Sequence, residues 1–404
     1  MNNFTHFIKA NTNKYFILFA CIIVSVFTLN AQTYLQNEII VGAEQTKQYF
    51  PLLQSKKVAL TANQTSMINQ QHLVDLMIAE GIELQFVFSP EHGFRGNSDA
   101  GEQINNGIDT KTGLPIISLY GRHKKPTPED LEGIEIVVFD IQDVGVRFYT
   151  YISSLHYIME ACAESHIPLL VLDRPNPNGF YVDGPTLIQD ASSFVGMHTV
   201  PMVHGMTIGE YALMINEEQW LKNSIHCDLM VVPCKNYSHS TLYELPIQPS
   251  PNLPNIRSIY LYPSLGLLEG TIMSIGRGTS FPFQVYGHPE YKTHGFEFTP
   301  ISMYGAKHPK LKDKLCYGKD LRELSLEQIR LSQFTLNYVI DSYKALHKKG
   351  EFFNNFFYRL AGSHTLREQI EKGMNEQEIR ESWQADIKKF KLIRKQYLLY
   401  PDFE

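Results

Sequence analysis

Two textures alternate along the first half of the chain. Short, near-continuous apolar runs occur at Val58–Leu60, Leu84–Phe88, Ile116–Tyr120, Ile134–Phe139, Pro168–Leu172 and Leu229–Val232. Continuous β-branched and Leu-rich runs of this length fit strands buried on both faces. Between them, apolar residues recur at helical spacing over Gln45–Leu53, His72–Glu80, 148–164 and Thr207–Lys222. In the second of these, Leu73, Leu76 and Met77 share one face, and Gly81 ends the segment. Thr127-Pro128-Glu129-Asp130-Leu131 predicts one more short helix, with Thr127 as N-cap and Pro128 at its first position. Strands alternating with helices imply the α/β class: a Rossmann-like parallel sheet covered by helices.

A parallel sheet gathers the carboxyl ends of its strands on one edge, where such folds hold ligands. Three predicted strands end there in acid-bearing loops: Glu91 after Leu84–Phe88, Asp140 and Asp143 after Ile134–Phe139, and Asp173 after Pro168–Leu172. Acids distant in sequence therefore converge through topology. The loop holding Glu91 reads SPEHGFRG, with a proline to fix its start and glycines that permit tight turns.

Near Pro249 the texture changes. SPNLPNIRSIYLYPSLGLLEGT is Pro-rich and then helical, and residues up to about 325 are rich in aromatics, Gly and Pro. Residues 326–349 and 365–396 have helical spacing. We therefore divide the chain into an N-terminal α/β domain at 32–248 and an α+β domain at 249–404. Residues 1–31 are set apart: Lys9 and Lys14 precede an apolar run from Tyr15 to Phe27, and Ala31 offers a small residue for cleavage. This is the pattern of a secretory signal, too short for a permanent span. Cys21 lies inside the apolar run, which argues against lipid attachment there.

Composition narrows the function. The 404 residues are 43% hydrophobic and carry a net charge of −6, without the basic stripe of a nucleic-acid binder. Cys162, Cys227, Cys234 and Cys316 form no CxxC and no zinc-finger spacing. Cys227 and Cys234 are close enough for a local disulfide, and buried free thiols are the alternative. GxGxxG, GxSxG and HExxH are all missing, so no cofactor and no resident metal are expected.

Two carboxyl groups flanking one bond are the minimum apparatus for glycoside hydrolysis, one protonated and one ionised. Partial burial at a strand end would raise the pKa of Glu91 and suit it to the acid role. Asp140, Asp143 and Asp173 are candidates for the other role, although an Asp at a strand-to-helix corner also serves as a cap. Arg95, Arg147, Arg174 and Arg277 are candidates to hold an acidic ligand by their planar forks, or to neutralise neighbouring acids. His92, His198 and His204 are hydrogen-bonding groups or, less simply, metal ligands.

The blocks SPEHGFRG (89–96), TGLPIISLYG (112–121), FDIQDVGVRFYTY (139–151), LDRPNPNG (172–179), HGMTIGE (204–210), SPNLPN (250–255), LEGT (268–271) and GRGTSFPFQ (276–284) resemble the exo-β-N-acetylmuramidases of the NamZ type. The resemblance runs from about residue 56 to YLLYP (397–401) and is looser between 290 and 390. It implies a Rossmann-like N-terminal domain and a smaller C-terminal domain, with the active site in the cleft between them. It also implies release of the non-reducing terminal N-acetylmuramic acid from peptidoglycan fragments, with Glu91 as the proposed catalytic residue. Within the matched blocks the candidate substrate-binding residues are His92, Arg95, Gln142, Arg147, Tyr149, Asp173, Arg174, Asn176, His204, Glu269 and Arg277, with Asp140 and Asp143 beside Glu91 as catalytic candidates.

Such a substrate carries a lactyl carboxylate for an arginine and an acetamido group able to act as nucleophile itself. In that route Asp140 or Asp143 would orient the amide. Stereochemistry, reducing-end sugar and oligomeric state stay open. A non-catalytic muropeptide receptor, and a metal-dependent hydrolase using His92 with Asp140 or Asp173, are the rival readings.

Overall fold

The apolar runs meet in one sheet. Its strands in chain order are β1 (Lys57–Ala62), β2 (Glu83–Ser89), β3 (Gly107–Ile108), β4 (Pro115–Ser118), β5 (Ile136–Asp140), β6 (Leu169–Leu172) and β7 (Leu229–Val232). Across the sheet they lie in the order β3-β4-β2-β1-β5-β6-β7. All neighbours are parallel except the edge pair of β3 and β4. This computed structural model describes residues 38–90, 93–95, 106–292 and 295–404. Val41–Glu404 form one compact unit, which is the body described below.

The central strands are apolar on both faces because both faces are covered. Every residue of β5 and of β6 is buried. Val137, Val138 and Phe139 have no exposed surface, and each side chain contributes about 1.5–3 kcal/mol by leaving water. Helices Tyr151–Glu164 and Ile208–Glu217 pack on this core and on each other. Strand β3 carries no apolar run: Gly107 and Ile108 are exposed and pair only with Ile116 and Pro115.

The second half adds helix Ile256–Leu265 and a small antiparallel sheet, β8 (Val285–His288), β9 (Phe296–Phe298) and β10 (Cys316–Asp320), with β10 in the middle. The main apolar core continues without a break from Ala59 and Phe139 through Tyr211 and Leu265 to Phe334, Trp383 and Phe390. The C-terminal helices thus share the core of the sheet domain.

Helix boundaries depart from the sequence pattern where local chemistry wins. Thr127–Leu131 forms turns: Thr127 N–H donates to Asp130 Oδ2, Asp130 N–H donates to Thr127 Oγ1, and Leu131 N–H donates to Pro128 O. The run at 326–349 splits into Leu326–Ser332 and Asn337–Leu346, because Gln333 takes φ 52° and sends Phe334 into the core. The run at 365–396 becomes Thr365–Glu371, Glu376–Glu381 and Gln384–Arg394. Asn375 starts the middle piece with a reciprocal cap to Glu378. The four cysteines named above are free and buried.

One buried side chain ties three parts of the chain together. Arg147, in the loop after β5, has no exposed surface. Its Nη1 donates to Pro185 O (2.7 Å) and Val200 O (2.9 Å), and its Nη2 to Leu360 O (3.0 Å) and Ala361 O (2.8 Å). The last two carbonyls close helix Asn355–Ala361, where the helix dipole is negative and orphan acceptors gather. Gly362 follows at φ 68°, and a Cβ there would strike the guanidinium. Burial lowers the Arg147 pKa to about 10, which leaves it charged at neutral pH. Arg147→Met removes the guanidinium donors from those carbonyls, leaving only Leu187 N on Val200 O among the described residues, and should cost about 3–5 kcal/mol. An unfolding free energy from urea titration within about 1 kcal/mol of the parent protein's would show the clamp to be dispensable.

Candidate functional site

The chain leaves β1 for β2 on one side and later returns to β5 on the other, so the topological switch point lies between β1 and β5. Doubly wound sheets bind ligands in the crevice outside the strand ends at such a point. Here two loops line it. After β1 come Asn63, Gln64 and Thr65; after β5 come Ile141, Gln142 and Asp143. Asn63 Oδ1 accepts from Thr65 N (2.9 Å), and Thr65 Oγ1 accepts from Gln142 N (3.0 Å). The two loops are thereby locked together.

The chain's own Pro-rich segment lies over this crevice. Gln64 Nε2 donates to Pro249 O (3.1 Å), and Tyr149 OH donates to the same oxygen (2.8 Å). A dinucleotide fold would put a glycine-rich turn and a pyrophosphate here. This protein puts a proline carbonyl between two strand-end loops instead.

The acids at the strand ends do different jobs. Asp140, at the end of β5, is fully buried and paired two-toothed with Arg174 (Nε–Oδ1 2.6 Å, Nη2–Oδ2 2.9 Å). Asp173, after β6, accepts from Thr207 Oγ1 (2.7 Å), Gly209 N (2.8 Å), Arg174 N (2.9 Å) and Tyr400 OH. It sits at the N-terminus of helix Ile208–Glu217, and Gly209 allows this approach: a Cβ there would lie 2.7 Å from the Asp173 carboxyl carbon. Burial pushes Asp173 up to about 6, and these donors pull against it. Asp143 Oδ2 accepts from Gly145 N (2.6 Å), whereas its buried Oδ1 meets no partner among the described residues. Burial pushes Asp143 up to about 7. Glu91 and His92 lie outside the described residues.

Beside the covered crevice is a cavity of about 200 Å³. Its walls come from the loop after β5 (Phe148, Tyr149, Thr150, Tyr151), the Pro-rich segment (Ser250, Asn252, Leu253) and the second half of the chain (Tyr262, Glu269, Arg277, Phe283, Phe356). It therefore opens between the sheet region and the C-terminal region. Glu269 and Arg277 form an ion pair within it (Oε1–Nε 2.8 Å), each side chain a quarter exposed. The Arg277 guanidinium also lies over the Phe283 ring, 4.9 Å from its centre. Lys310 Nζ donates to the carbonyls of Glu269 (3.0 Å) and Thr271 (2.5 Å) and so fixes the LEGT turn from behind. Burial lowers the Lys310 pKa to about 8.

Of the residues singled out from sequence, Tyr149, Glu269 and Arg277 meet at this cavity. The others are placed elsewhere. Arg95 grips Asp109 (2.8 and 2.7 Å) and reaches Asp75 (3.3 Å). Arg147 is the carbonyl clamp described above, and Arg174 is the partner of Asp140. Gln142 Nε2 donates to the carbonyls of Asp143 (2.8 Å) and Pro175 (2.7 Å). Asn176 bridges Met206 O (2.8 Å) and Asn178 N (2.8 Å). His204 is buried; its Nδ1 accepts from Met206 N (3.3 Å), and its Nε2 meets no partner among the described residues. Lys310, Phe356 and the wall residue Asn252 escaped sequence reasoning. Asn252 belongs to a block with an evident motif, whereas Lys310 and Phe356 carry no local signal at all.

Family models for the exo-β-N-acetylmuramidase NamZ match the chain in two parts, the N-terminal model over residues 58–257 and the C-terminal model over residues 260–400. The chain is 38% identical over 371 residues to the peptidoglycan β-N-acetylmuramidase NamZ of Bacillus subtilis (strain 168), covering 87% of this chain and 89% of that protein. Two crystal structures of DUF1343 family proteins from Bacteroides fragilis share the fold. One is 50% identical with a TM-score of 0.85, covering 91% of this chain and all of its own. The other is 31% identical with a TM-score of 0.74, covering 90% of this chain and 99% of its own.

The buried histidines near the site give a pH signature. His198 links Tyr211 OH (3.1 Å) to His156 (2.9 Å), and burial holds both imidazoles below the usual range. Burial, then Arg394 and Arg147, lowers His204 to about 3 from an ordinary value of 6.5. Between those values the unfolded chain binds a proton that the folded chain does not. The stability this residue confers is therefore complete above pH 6.5 and is lost as pH falls towards 3. Asp143 and Asp173 act oppositely, because the folded state keeps protons that the unfolded chain releases. His204→Gln isolates one group: its stability-versus-pH slope below 6.5 should be shallower than the parent's by up to about 1.4 kcal/mol per pH unit. Parallel slopes in urea titrations from pH 7 to 4 would contradict this.

Proposed function

The chain belongs to the exo-β-N-acetylmuramidase NamZ family, and from that premise we propose that it releases N-acetylmuramic acid from the non-reducing ends of peptidoglycan fragments. The observation that carries the proposal is the cavity with a carboxylate and a guanidinium, Glu269 and Arg277, on its wall. N-acetylmuramic acid pairs a glycosidic bond with a lactyl carboxylate, and the cavity holds a group suited to each. Arg147 and Arg174 are buried against carbonyls and Asp140, whereas Arg277 lines the cavity, so Arg277 is the arginine that meets the ligand.

In the reaction, the bond from the anomeric carbon to the bridging oxygen breaks, water supplies the new oxygen at that carbon, and a carboxylate takes up the proton that the water loses. Glu91 gives its proton to the departing oxygen. Glu269 is the second carboxylate, because it lines the cavity while Asp140 is buried against Arg174 and Asp173 among hydroxyl and backbone donors. Asp143, buried and half-partnered with a pKa near 7, supports the loop after β5. A substrate made outside the cytoplasm accords with the export signal expected from residues 1–31.

The assay is release of nitrophenol from a 4-nitrophenyl N-acetyl-β-muramide. Glu91→Gln should abolish turnover, with a loss of 10²-fold or more and an unchanged thermal midpoint; near-parental turnover would refute the acid role. Turnover that survives exhaustive chelation would dispose of the metal-dependent rival. Tight muropeptide binding without hydrolysis by the parent protein would favour the receptor reading.

Arg277→Ala should raise KM for the muramide about tenfold or more, since a charge-assisted fork to the lactyl carboxylate is lost. The loss in kcat/KM on the matching N-acetylglucosaminide, which lacks the lactyl group, should be several-fold smaller and fall in kcat, because Arg277 also pairs with Glu269. Equal losses on both glycosides would remove Arg277 from the carboxylate-binding role.

A further inference from the structure

A second hollow, of about 420 Å³, lies beside the cavity. Its lining includes Glu244, Leu245, Ile247, Gln248, Asn255 and Ile256. The two spaces share Leu253 and are divided by the Pro-rich segment: Ser250 and Asn252 line the first, Pro249 and Pro254 the second. That divider is held rigidly. The Gln248 and Pro249 carbonyls accept from Gln64 (3.4 and 3.1 Å), and Pro249 O also accepts from Tyr149. Prolines at 249, 251 and 254 restrict its backbone further. Gln248 and Pro249 of the hollow's lining rest on Gln64, in the loop after β1, so both spaces stand at the strand-end edge of the sheet.

We propose that this second hollow receives the amino sugar on the leaving-group side of the scissile bond, a proposal that rests on the muramidase reading above. Pockets that enclose drug-sized ligands run to about 300–1,000 Å³, so a cavity of about 200 Å³ has room for one sugar ring. The ring beyond the glycosidic oxygen must lie outside it. The adjoining hollow has the chemistry for a second amino sugar. Leu245, Ile247 and Ile256 offer apolar surface to a ring face. Glu244, Gln248 and Asn255 offer hydrogen-bonding groups to hydroxyls and an acetamido group. The divider then meets the substrate at the bond between the two rings. A rigid wall suits that place, because orientation there sets the attack geometry.

The test compares two substrates. The 4-nitrophenyl muramide has a flat aromatic leaving group and little use for the hollow, whereas the disaccharide of N-acetylmuramic acid β-linked to N-acetylglucosamine fills it. Ile247→Trp narrows the hollow and Glu244→Ala removes an exposed polar contact; neither residue lines the first cavity. Each variant should keep chromogenic turnover within about twofold and lose about tenfold or more in kcat/KM on the disaccharide. Parental ratios in both variants would overturn the assignment. A loss confined to disaccharides bearing a stem peptide would also overturn it, in favour of a peptide seat. Failure of the parent protein on both substrates would overturn the muramidase reading, and this proposal with it.

Discussion

Much of this structure depends on one uncompensated positive charge. Arg147 is buried among backbone oxygens, and no single one of its four acceptors carries a full charge. Such a group is tolerable because Nη1 and Nη2 each reach two carbonyls, although Nε meets no partner among the described residues. The requirement joins three pieces of chain: the loop after β5, the segment from Pro185 to Val200, and the end of helix Asn355–Ala361. Phe356 and Leu360 of that helix line the cavity. The clamp therefore holds the wall of the site as well as the junction between the two halves.

A second hub closes the opposite end. Asp173 gathers Thr207, Gly209 and Tyr400, so the C-terminal tail docks on the strand-end edge of the sheet. Arg394 adds to this by donating to Gly205 O (2.7 Å) and to Asp402 (2.7 and 2.8 Å). The basic stretch near the C-terminus is thus partly an interior element: Ile387, Phe390 and Arg394 are buried, while its lysines face water. With both hubs charged and enclosed, Asp140 and Asp173 serve as architecture.

That division explains what could be seen in advance. Strand runs such as Ile134–Phe139 and Leu229–Val232 became β5 and β7 because a doubly covered sheet demands unbroken apolar sequence. The helix beginning near Thr207 was likewise legible, and the structure starts it with a local reciprocal bond between Thr207 and Glu210. Thr127–Leu131 misled because a cap and a proline permit a helix without supplying enough residues to propagate one. The three-stranded sheet was visible only as texture, since its strands are short and pair across a long loop.

The sequence by itself determined the α/β class, the strands of the sheet and the convergence of acids on one edge. Each follows from periodicity and from the rule that parallel strands end together. The motif blocks likewise sufficed to identify the family. Only the tertiary structure decided which charged residues face a cavity and which are structural. Asp140 and Glu269 are both carboxylates beside an arginine partner, yet one is sealed beneath the strand ends and the other lines open space. The difference is set by what covers each pair. That depends on contacts between segments a hundred residues or more apart, such as Pro249 resting on Tyr149 and Gln64, which no local pattern encodes.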